Sequence, residues 1–459
     1  MEITLRLLYN KGCHIKRRLN TVEQSFNSYQ LSENMLKIIN QLQFNEPTPI
    51  QHEVIPLALN GKSIIGQSQT GTGKTHAFLI PMIDQIDSDD YSVQKIIIAP
   101  TRELAQQIFD EVKRMIQFSE KDNLHARLVI GGTDKQRLIQ KFNNEPQIVV
   151  GTPGRLLDFV KENVFSTSKV KSVVIDEADL LIDLGLIDEV DQLLYRMHED
   201  VQILIFSATI PKNLQPFLKK YLNQPEHIVI DEKKISPELL KHRLVPLRHR
   251  KTADLLVEAS KLIHPYIALI FVNSKQKADE LSGDLISQGL NVGLIHGGLK
   301  PRERKRVLND LKALKYQYIV ATDLAARGMD IPGVSHVFNA EFPKEIDAYT
   351  HRVGRTARAG LEGTAISFYT EQDIPLITKL EQRGIQFENV DIKNGEWVEV
   401  KEWNKRQIRI KREQRLDAEA WKKVRRNKQV KPGYKKKMWE EKEKIKKQLK
   451  KQQFKKKRK

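Results

Sequence analysis

A glycine-rich run closes on a lysine and a threonine, and a cluster of carboxylates follows far downstream. The run is Ser68-Gln69-Thr70-Gly71-Thr72-Gly73-Lys74-Thr75. Its glycines let backbone N–H groups approach phosphate oxygens, and a following helix N-terminus adds positive potential. Lys74 would reach the β- and γ-phosphates of a nucleotide, and the Thr75 hydroxyl would sit on magnesium. The strict pattern asks for Gly where Ser68 stands. The flanks are nonetheless those of a strand and a helix, Ile64-Ile65 before and Phe78-Leu79-Ile80 after. The carboxylates end the stretch Val173-Val174-Ile175-Asp176-Glu177-Ala178-Asp179. Its β-branched start fits a strand covered on both faces. In an open α/β sheet, chemistry sits at the carboxyl ends of strands. A phosphate cradle and a carboxylate strand end are the minimum equipment for nucleotide hydrolysis.

Such groups need a sheet to hold them. Apolar runs at 63–66, 95–100, 128–132, 147–151, 173–175 and 203–207 alternate with helical spacers of crossover length. That pattern predicts a parallel, doubly wound sheet. The strands run into Thr101-Arg102, Gly131-Gly132, Thr152-Pro153-Gly154-Arg155 and Ser207-Ala208-Thr209. These residues suit phosphate contacts, although each loop taken singly reads as an ordinary turn. Further runs at 267–273, 292–298, 318–323, 334–339 and 363–368 predict a second α/β domain without a cradle. There His351-Arg352-Val353-Gly354-Arg355-Thr356-Ala357-Arg358 spaces arginines by three, which puts them on one face of a helix. Alone they read as a solvated basic face. Beside a hydrolytic domain they read as arginine fingers completing a site between domains.

Ahead of the cradle, Leu31, Met35, Ile38, Ile39 and Leu42 recur at helical spacing. Gln51 follows and can donate and accept together, which suits an adenine edge. Phe26 and Phe44 offer flat faces for stacking; the plainer reading is a turn with core aromatics. The expected divisions are an extension at 1–24, an ATP-binding domain at 25–228, a linker at 229–237, a second domain at 238–395 and a tail at 396–459.

The 459 residues carry a formal charge of +19, unevenly spread. Residues 422–459 hold 20 Lys or Arg and three Glu, a net +17, which leaves +2 on the other 421. Cys13 is the single cysteine, so an intrachain disulfide is excluded and a cysteine zinc site is implausible. This fits a reducing compartment. No apolar run approaches the roughly 18 residues of a membrane span. The first 24 residues are basic but lack a secretory apolar core; a weak mitochondrial-type signal is the alternative reading.

Taken together, the motifs resemble the DEAD-box ATP-dependent RNA helicases of superfamily 2, whose naming signature is Asp176-Glu177-Ala178-Asp179 here. The likeness runs from Phe26 to residue 375 and excludes the tail. It implies two tandem RecA-like domains, ATP and Mg2+ as cofactors, and a cytoplasmic enzyme without membrane contact. The implied partner is RNA, single-stranded or short duplex, read with low sequence specificity. Ribosomal and messenger RNA and ribonucleoprotein complexes are the expected targets. The implied activity is RNA-stimulated ATP hydrolysis coupled to local unwinding or remodelling.

The family's roles carry over by position. Phe26, Phe44 and Gln51 would read adenine. Ser68 to Thr75 would hold the phosphates, with Lys74 catalytic and Thr75 and Asp176 on magnesium, partly through water. Glu177 would orient or deprotonate the attacking water. Asp179, Ser207 and Thr209 would couple hydrolysis to strand separation. Gly328 and Asp330 would lie on the nucleotide, and Thr322 and Arg327 on RNA. His351, Arg355 and Arg358 would complete the γ-phosphate site. Pro100, Thr101, Arg102, Gly132, Thr152, Arg155, Asn273 and Ser274 would contact RNA. Three positions depart from the family pattern: Gln43 and Ala357 where Gly is usual, and Ser68 where Ala is usual. None removes a catalytic group.

In the tail, Trp403, Trp421 and Trp439 stand 18 residues apart. Stretches 413–421 and 439–453 read as helices, broken at Lys431-Pro432-Gly433-Tyr434. The tail reads as a largely disordered or helical, sequence-tolerant RNA anchor, or more plainly as a solubilising segment. A helicase core with a basic tail resembles the bacterial proteins of ribosome assembly, RNA decay and cold adaptation. Two rivals stand beside this reading: an ATP-gated RNA clamp or scaffold with little turnover, and a DNA helicase on the same scaffold.

Overall fold

Short β-branched runs become strands where helices can cover both faces of the sheet they join. The computed structural model describes residues 25–69, 71–121, 123–132, 134–142, 145–230, 240–326, 331, 333–357, 362–400, 417–421 and 434–456. In the first domain the strands are β1 (Ile64–Gln67), β2 (Lys95–Ile98), β3 (Ala126–Val129), β4 (Ile148–Gly151), β5 (Ser172–Ile175), β6 (Gln202–Ser207) and β7 (Glu226–Val229). They pair in parallel in the order β3-β4-β2-β5-β6-β1-β7. Alternate residues of each strand feed one of two cores. Ile97, Val174, Leu204 and Phe206 join Phe78 and Ile108 on one face, while Ile98, Val173, Ile175 and Ile205 join Leu156 and Val190 on the other.

The second sheet contains β8 (Leu240–Pro246), β9 (Ile267–Val272), β10 (Val292–Ile295), β11 (Tyr318–Thr322), β12 (Val334–Asn339), β13 (Gly363–Tyr369), β14 (Phe387–Lys393) and β15 (Glu396–Glu399). Its order is β10-β11-β9-β12-β13-β8-β14-β15, parallel except for the last pair. Both domains are therefore doubly wound sheets, as the alternation of runs predicts. The strand β15 lies where the sequence reading expects the tail to have begun. The missed signal is Asn394-Gly395, both at positive φ (53° and 76°), which closes a two-residue hairpin.

Met35, Ile38 and Ile39 are buried on the helix Glu33–Gln41, in line with their spacing. In the C-terminal segment, residues 417–421 are helical and Tyr434–Lys456 forms one continuous helix. Trp403 lies outside the described residues. No helix among the described residues is long and apolar enough to cross a membrane.

His242 on β8 is 4% exposed, with Nδ1 2.9 Å from the Tyr349 hydroxyl and its ring against Phe387. Burial pushes its pKa down to about 4. The folded protein thus binds fewer protons here than the unfolded chain does below pH about 6.5. The stability His242 contributes is complete above that pH and is lost as pH falls towards 4, by up to about 3 kcal/mol. Urea unfolding of the second domain should therefore be steeper in pH over this window than in a His242→Phe variant. Parallel profiles would overturn the assignment.

Candidate functional site

Strand order brings the motifs together: β6 lies between the cradle strand β1 and the carboxylate strand β5. The Ser68 amide donates to the Ser207 carbonyl at 3.2 Å, pinning the start of the cradle to the end of β6. Ser68 Oγ and Thr72 Oγ1 share a hydrogen bond of 2.9 Å, and Thr72 also donates to the Gln69 carbonyl at 2.9 Å. The serine that departs from the family pattern thus braces the loop. Gly73 adopts φ +94°, and a Cβ there would lie 2.7 Å from Gln51 Nε2, so only glycine fits. Lys74 opens the helix Lys74–Asp84, is 8% exposed, and donates from Nζ to the Ser68 carbonyl at 2.8 Å. Thr75 is in the first turn of that helix. Thr70 lies outside the described residues.

The Asp176 amide donates to the Ile98 carbonyl, extending the β5–β2 pairing by one residue. Its carboxylate is 4% exposed and accepts from the Glu177 amide at 2.9 Å. Burial pushes its pKa up to about 7, against the pull of the Lys74 charge. Glu177 holds a left-handed backbone (φ 47°, ψ 54°) at the start of the helix Ala178–Asp183. That conformation costs an L-residue about 1–2 kcal/mol, and strain of this kind concentrates at functional sites. The buried Asp176 carboxylate, close enough to Lys74 to feel its charge, offers hard oxygen donors. It fits magnesium, which takes one or two protein carboxylates and completes its shell with phosphate and water.

Asp179 closes the link to β6. Its Oδ2 accepts from both the amide and the hydroxyl of Thr209, at 3.1 and 3.0 Å. Its own amide donates to Ser207 Oγ at 3.1 Å, and that hydroxyl donates to the Thr209 carbonyl at 2.6 Å. The three residues expected to couple hydrolysis to strand separation thus form one hydrogen-bonded unit.

Gln51 is 4% exposed on the helix Pro49–Leu59. Its Oε1 accepts from the Thr48 amide at 3.0 Å and its Nε2 donates to the Gly73 carbonyl at 3.2 Å. One N–H and one lone pair of the amide are left for a base. Gln51→Ala should narrow the preference for ATP over GTP in kcat/KM by about tenfold or more, since the paired polar contacts would be lost. Unchanged base preference would refute adenine reading. Phe26 is 3% exposed within the core and edges onto Tyr29, while half-buried Phe44 meets the His76 ring edge-on at 4.7 Å. His76 in turn lies 3.4 Å from Glu111. The sequence reading passed over His76, Glu111 and the Tyr29–His52 hydrogen bond of 2.8 Å. The one available signal was a histidine directly after the cradle's Lys-Thr.

A second site opens at the carboxyl ends of β2, β3 and β4, with β5 and β6 between it and the cradle strand. Pro100, Arg102, Gly131, Gly132, Thr152 and Arg155 line one cavity of about 480 Å³. A Cβ at Gly131 or Gly132 would run into the Arg102 guanidinium, so the glycines seat that arginine. The helices Arg102–Gln117 and Pro153–Lys161 both begin here, and helix N-termini favour anions. Thr101 caps the first, accepting from the Leu104 amide at 3.2 Å.

The arginines of the second domain do not share a helix face. The helix Ile346–Val353 stops at Gly354, so Arg355 lies beyond its end in a turn. Arg352 is 1% exposed and is a structural hub: it bonds the Asp323 carboxylate, the Asn273 and Asn339 side chains and the Glu341 carbonyl. Asn273 also donates to the Phe342 carbonyl at 3.0 Å, and Ser274 caps the helix Lys275–Ser287. Thr322 ends β11, 8% exposed. Arg355 is 6% exposed and its Nε donates to the His351 carbonyl at 3.3 Å. Arg327, Gly328, Asp330 and Arg358 lie outside the described residues. Across the two domains, Arg304 of the helix Pro301–Lys312 reaches Glu103 of the helix Arg102–Gln117 at 2.7 Å.

Both non-glycine departures sit at left-handed positions, Gln43 at φ 60° and Ala357 at φ 54°. Gln43 ends the helix Glu33–Gln41 in a Schellman turn, its amide on the Asn40 carbonyl and that of Phe44 on Ile39. Gln43→Gly and Ala357→Gly should each stabilise the chain by about 1 kcal/mol, read from urea midpoints. A loss of stability would mean that the side chains make compensating contacts.

The DEAD/DEAH box helicase family matches residues 48–217, and the helicase conserved C-terminal domain matches residues 250–360. The chain is 46% identical over 434 residues to the DEAD-box ATP-dependent RNA helicase CshB of Bacillus subtilis (strain 168), covering 95% of this chain and 99% of that one. Among solved structures it is similar to S. cerevisiae Dbp5 bound to RNA and ADP BeF3, with TM-score 0.73, 30% identity and coverage of 85% and 99%. The DEAD-box helicase Mss116 bound to ssRNA and UDP-BeF matches at TM-score 0.71 and 29% identity, covering 80% of each chain. The two sheets are thus RecA-like domains.

Proposed function

The chain belongs to the DEAD-box ATP-dependent RNA helicase family, and from that premise we propose that it hydrolyses ATP on RNA to open or remodel short structures. One observation carries this reading: buried Asp176 lies near the Lys74 charge, while Asp179 is tied to Ser207 and Thr209 at the end of the strand between them. A change at the carboxylates therefore has a direct hydrogen-bonded route to the end of β6.

Magnesium, when bound by Asp176 and Thr75, would neutralise charge on the phosphate oxygens. The remaining steps belong to the chain's own residues. Lys74 leaves the Ser68 carbonyl for the β- and γ-phosphates. Glu177 takes a proton from the attacking water, or fixes its orientation. Arg355 meets the charge that develops on the transferred phosphoryl group. RNA lies with its phosphates in the cavity lined by Arg102, Thr152 and Arg155, which makes recognition largely sequence-independent. The two RNA-bound relatives at about 30% identity support this placement. The tail from residue 422 adds a salt-sensitive anchor, supported by its +17 charge. We place the enzyme in the cytoplasm, in ribosome assembly, RNA decay or cold adaptation, on the resemblance of a helicase core with a basic tail to bacterial members of the family.

The test is steady-state ATPase without nucleic acid, with single-stranded RNA, and with DNA of matched sequence. RNA-specific stimulation is expected. Equal stimulation by DNA would move the reading to a DNA enzyme, because only RNA offers the 2′-hydroxyl. Flat turnover with RNA, together with ATP-tightened RNA binding, would favour the clamp.

A further inference from the structure

We infer that the C-terminal helices form a stacking platform for the bases of single-stranded RNA, built on two tryptophans that bracket Lys442. The inference rests on the tail being an RNA anchor and adds what the anchor recognises. A five-residue helix has no stability of its own, yet residues 417–421 are helical because they lie against Tyr434–Lys456. Ala420 and Leu449 are buried together with Ile445 packed on them. The ammonium groups of Lys442 and Lys446 reach the Asp417 carboxylate at 3.0 and 2.7 Å. Lys442, Ile445, Lys446 and Leu449 have the spacing of one helix face, so this face is committed to holding the pair together.

Lys442 Nζ is 6.0 Å from the centre of the Trp421 ring and 5.8 Å from that of Trp439. Lys442 itself is only 7% exposed, whereas Trp421 is 45% and Trp439 58% exposed. Tryptophans used only for packing would be turned inward. Here each ring approaches the same ammonium and leaves about half its surface to solvent. In sequence, residues 422–459 carry a net +17. Exposed aromatic faces inside a strongly cationic segment are what single-stranded nucleic acid requires: lysines for phosphates, rings for bases. An anionic membrane would need an outward apolar face, but Ile445 and Leu449 point into the helix pair.

The test uses the full-length chain without nucleotide. With Trp397→Phe and Trp403→Phe in place, the remaining two of four tryptophans report only on Trp421 and Trp439. An adenine RNA oligomer should quench their emission more than an abasic oligomer of equal length and charge. Trp421→Ala with Trp439→Ala should weaken binding of the adenine oligomer about tenfold, with the salt slope unchanged. The Phe pair should restore most of the affinity. Equal quenching by both oligomers, no quenching, or full affinity in the Ala pair would overturn the platform. So would an emission shift with anionic vesicles but none with RNA. Deletion of 422–459 separates the two readings. A reduced salt slope with normal binding by the Ala pair leaves a charge-only anchor and removes the platform. An unchanged slope removes the anchor, and the platform with it.

Discussion

Glu177→Gln should leave ATP and RNA bound while turnover falls about 10²–10⁴-fold. The substitution keeps the size and shape of the side chain and removes only its capacity to hold a proton. The backbone at Glu177 is left-handed, and Gln tolerates that conformation no worse than Glu. The amide that Glu177 donates to Asp176 is main chain, so the Asp176 carboxylate keeps its partner. The network of Asp179, Ser207 and Thr209 is untouched, because none of its bonds involves the Glu177 side chain. A loss in kcat with unchanged ATP and RNA affinity would therefore belong to the chemical step. Normal turnover would remove Glu177 from the mechanism, and a parallel loss of ATP affinity would make it a binding residue.

The parts of this site that were legible in the sequence are those set by local pattern. The cradle, the carboxylate strand end and the hydroxyls after β6 each lie within a few residues of a buried strand, and the apolar run announces the strand. Edge elements are less legible. β7 has one buried residue in its Glu-His-Ile-Val and β15 none, so neither carries an apolar run. The arginine trio misled because residue spacing cannot show where a helix stops. Gly354 ends it, and Thr356 is drawn by its hydroxyl to the Val334 carbonyl at 2.6 Å. Arg352 then takes up an interior role that no spacing reveals, since its partners Asn273, Asp323 and Asn339 come from three other strand ends. The contact of Glu103 with Arg304 is tertiary and has no local signature at all.

Arg355→Ala should lower RNA-stimulated kcat by about 10³–10⁵-fold, the range for removing an arginine that meets transferred phosphoryl charge. The frame around Arg355 explains why so large an effect is expected of one side chain. Its amide bonds the Arg352 carbonyl at 3.1 Å, and Arg352 is fixed by the Asp323 carboxylate and two asparagines. The next residue is held on β12 through Val334. The backbone that presents Arg355 is therefore rigid. The Glu103–Arg304 pair also joins the helix that starts at the Arg102 cavity to the second domain. Because Arg355 is largely buried, the Ala variant needs a thermal unfolding control, and Arg355→Lys supplies a second reading. Lysine keeps the charge but loses the planar fork, so it should recover folding and ATP binding with only part of the rate. A rise in KM for ATP with kcat intact in both variants would reduce Arg355 to uniform binding. Loss of kcat together with loss of RNA stimulation, at near-normal ATP affinity, would identify it as the group through which RNA-driven closure reaches the phosphate.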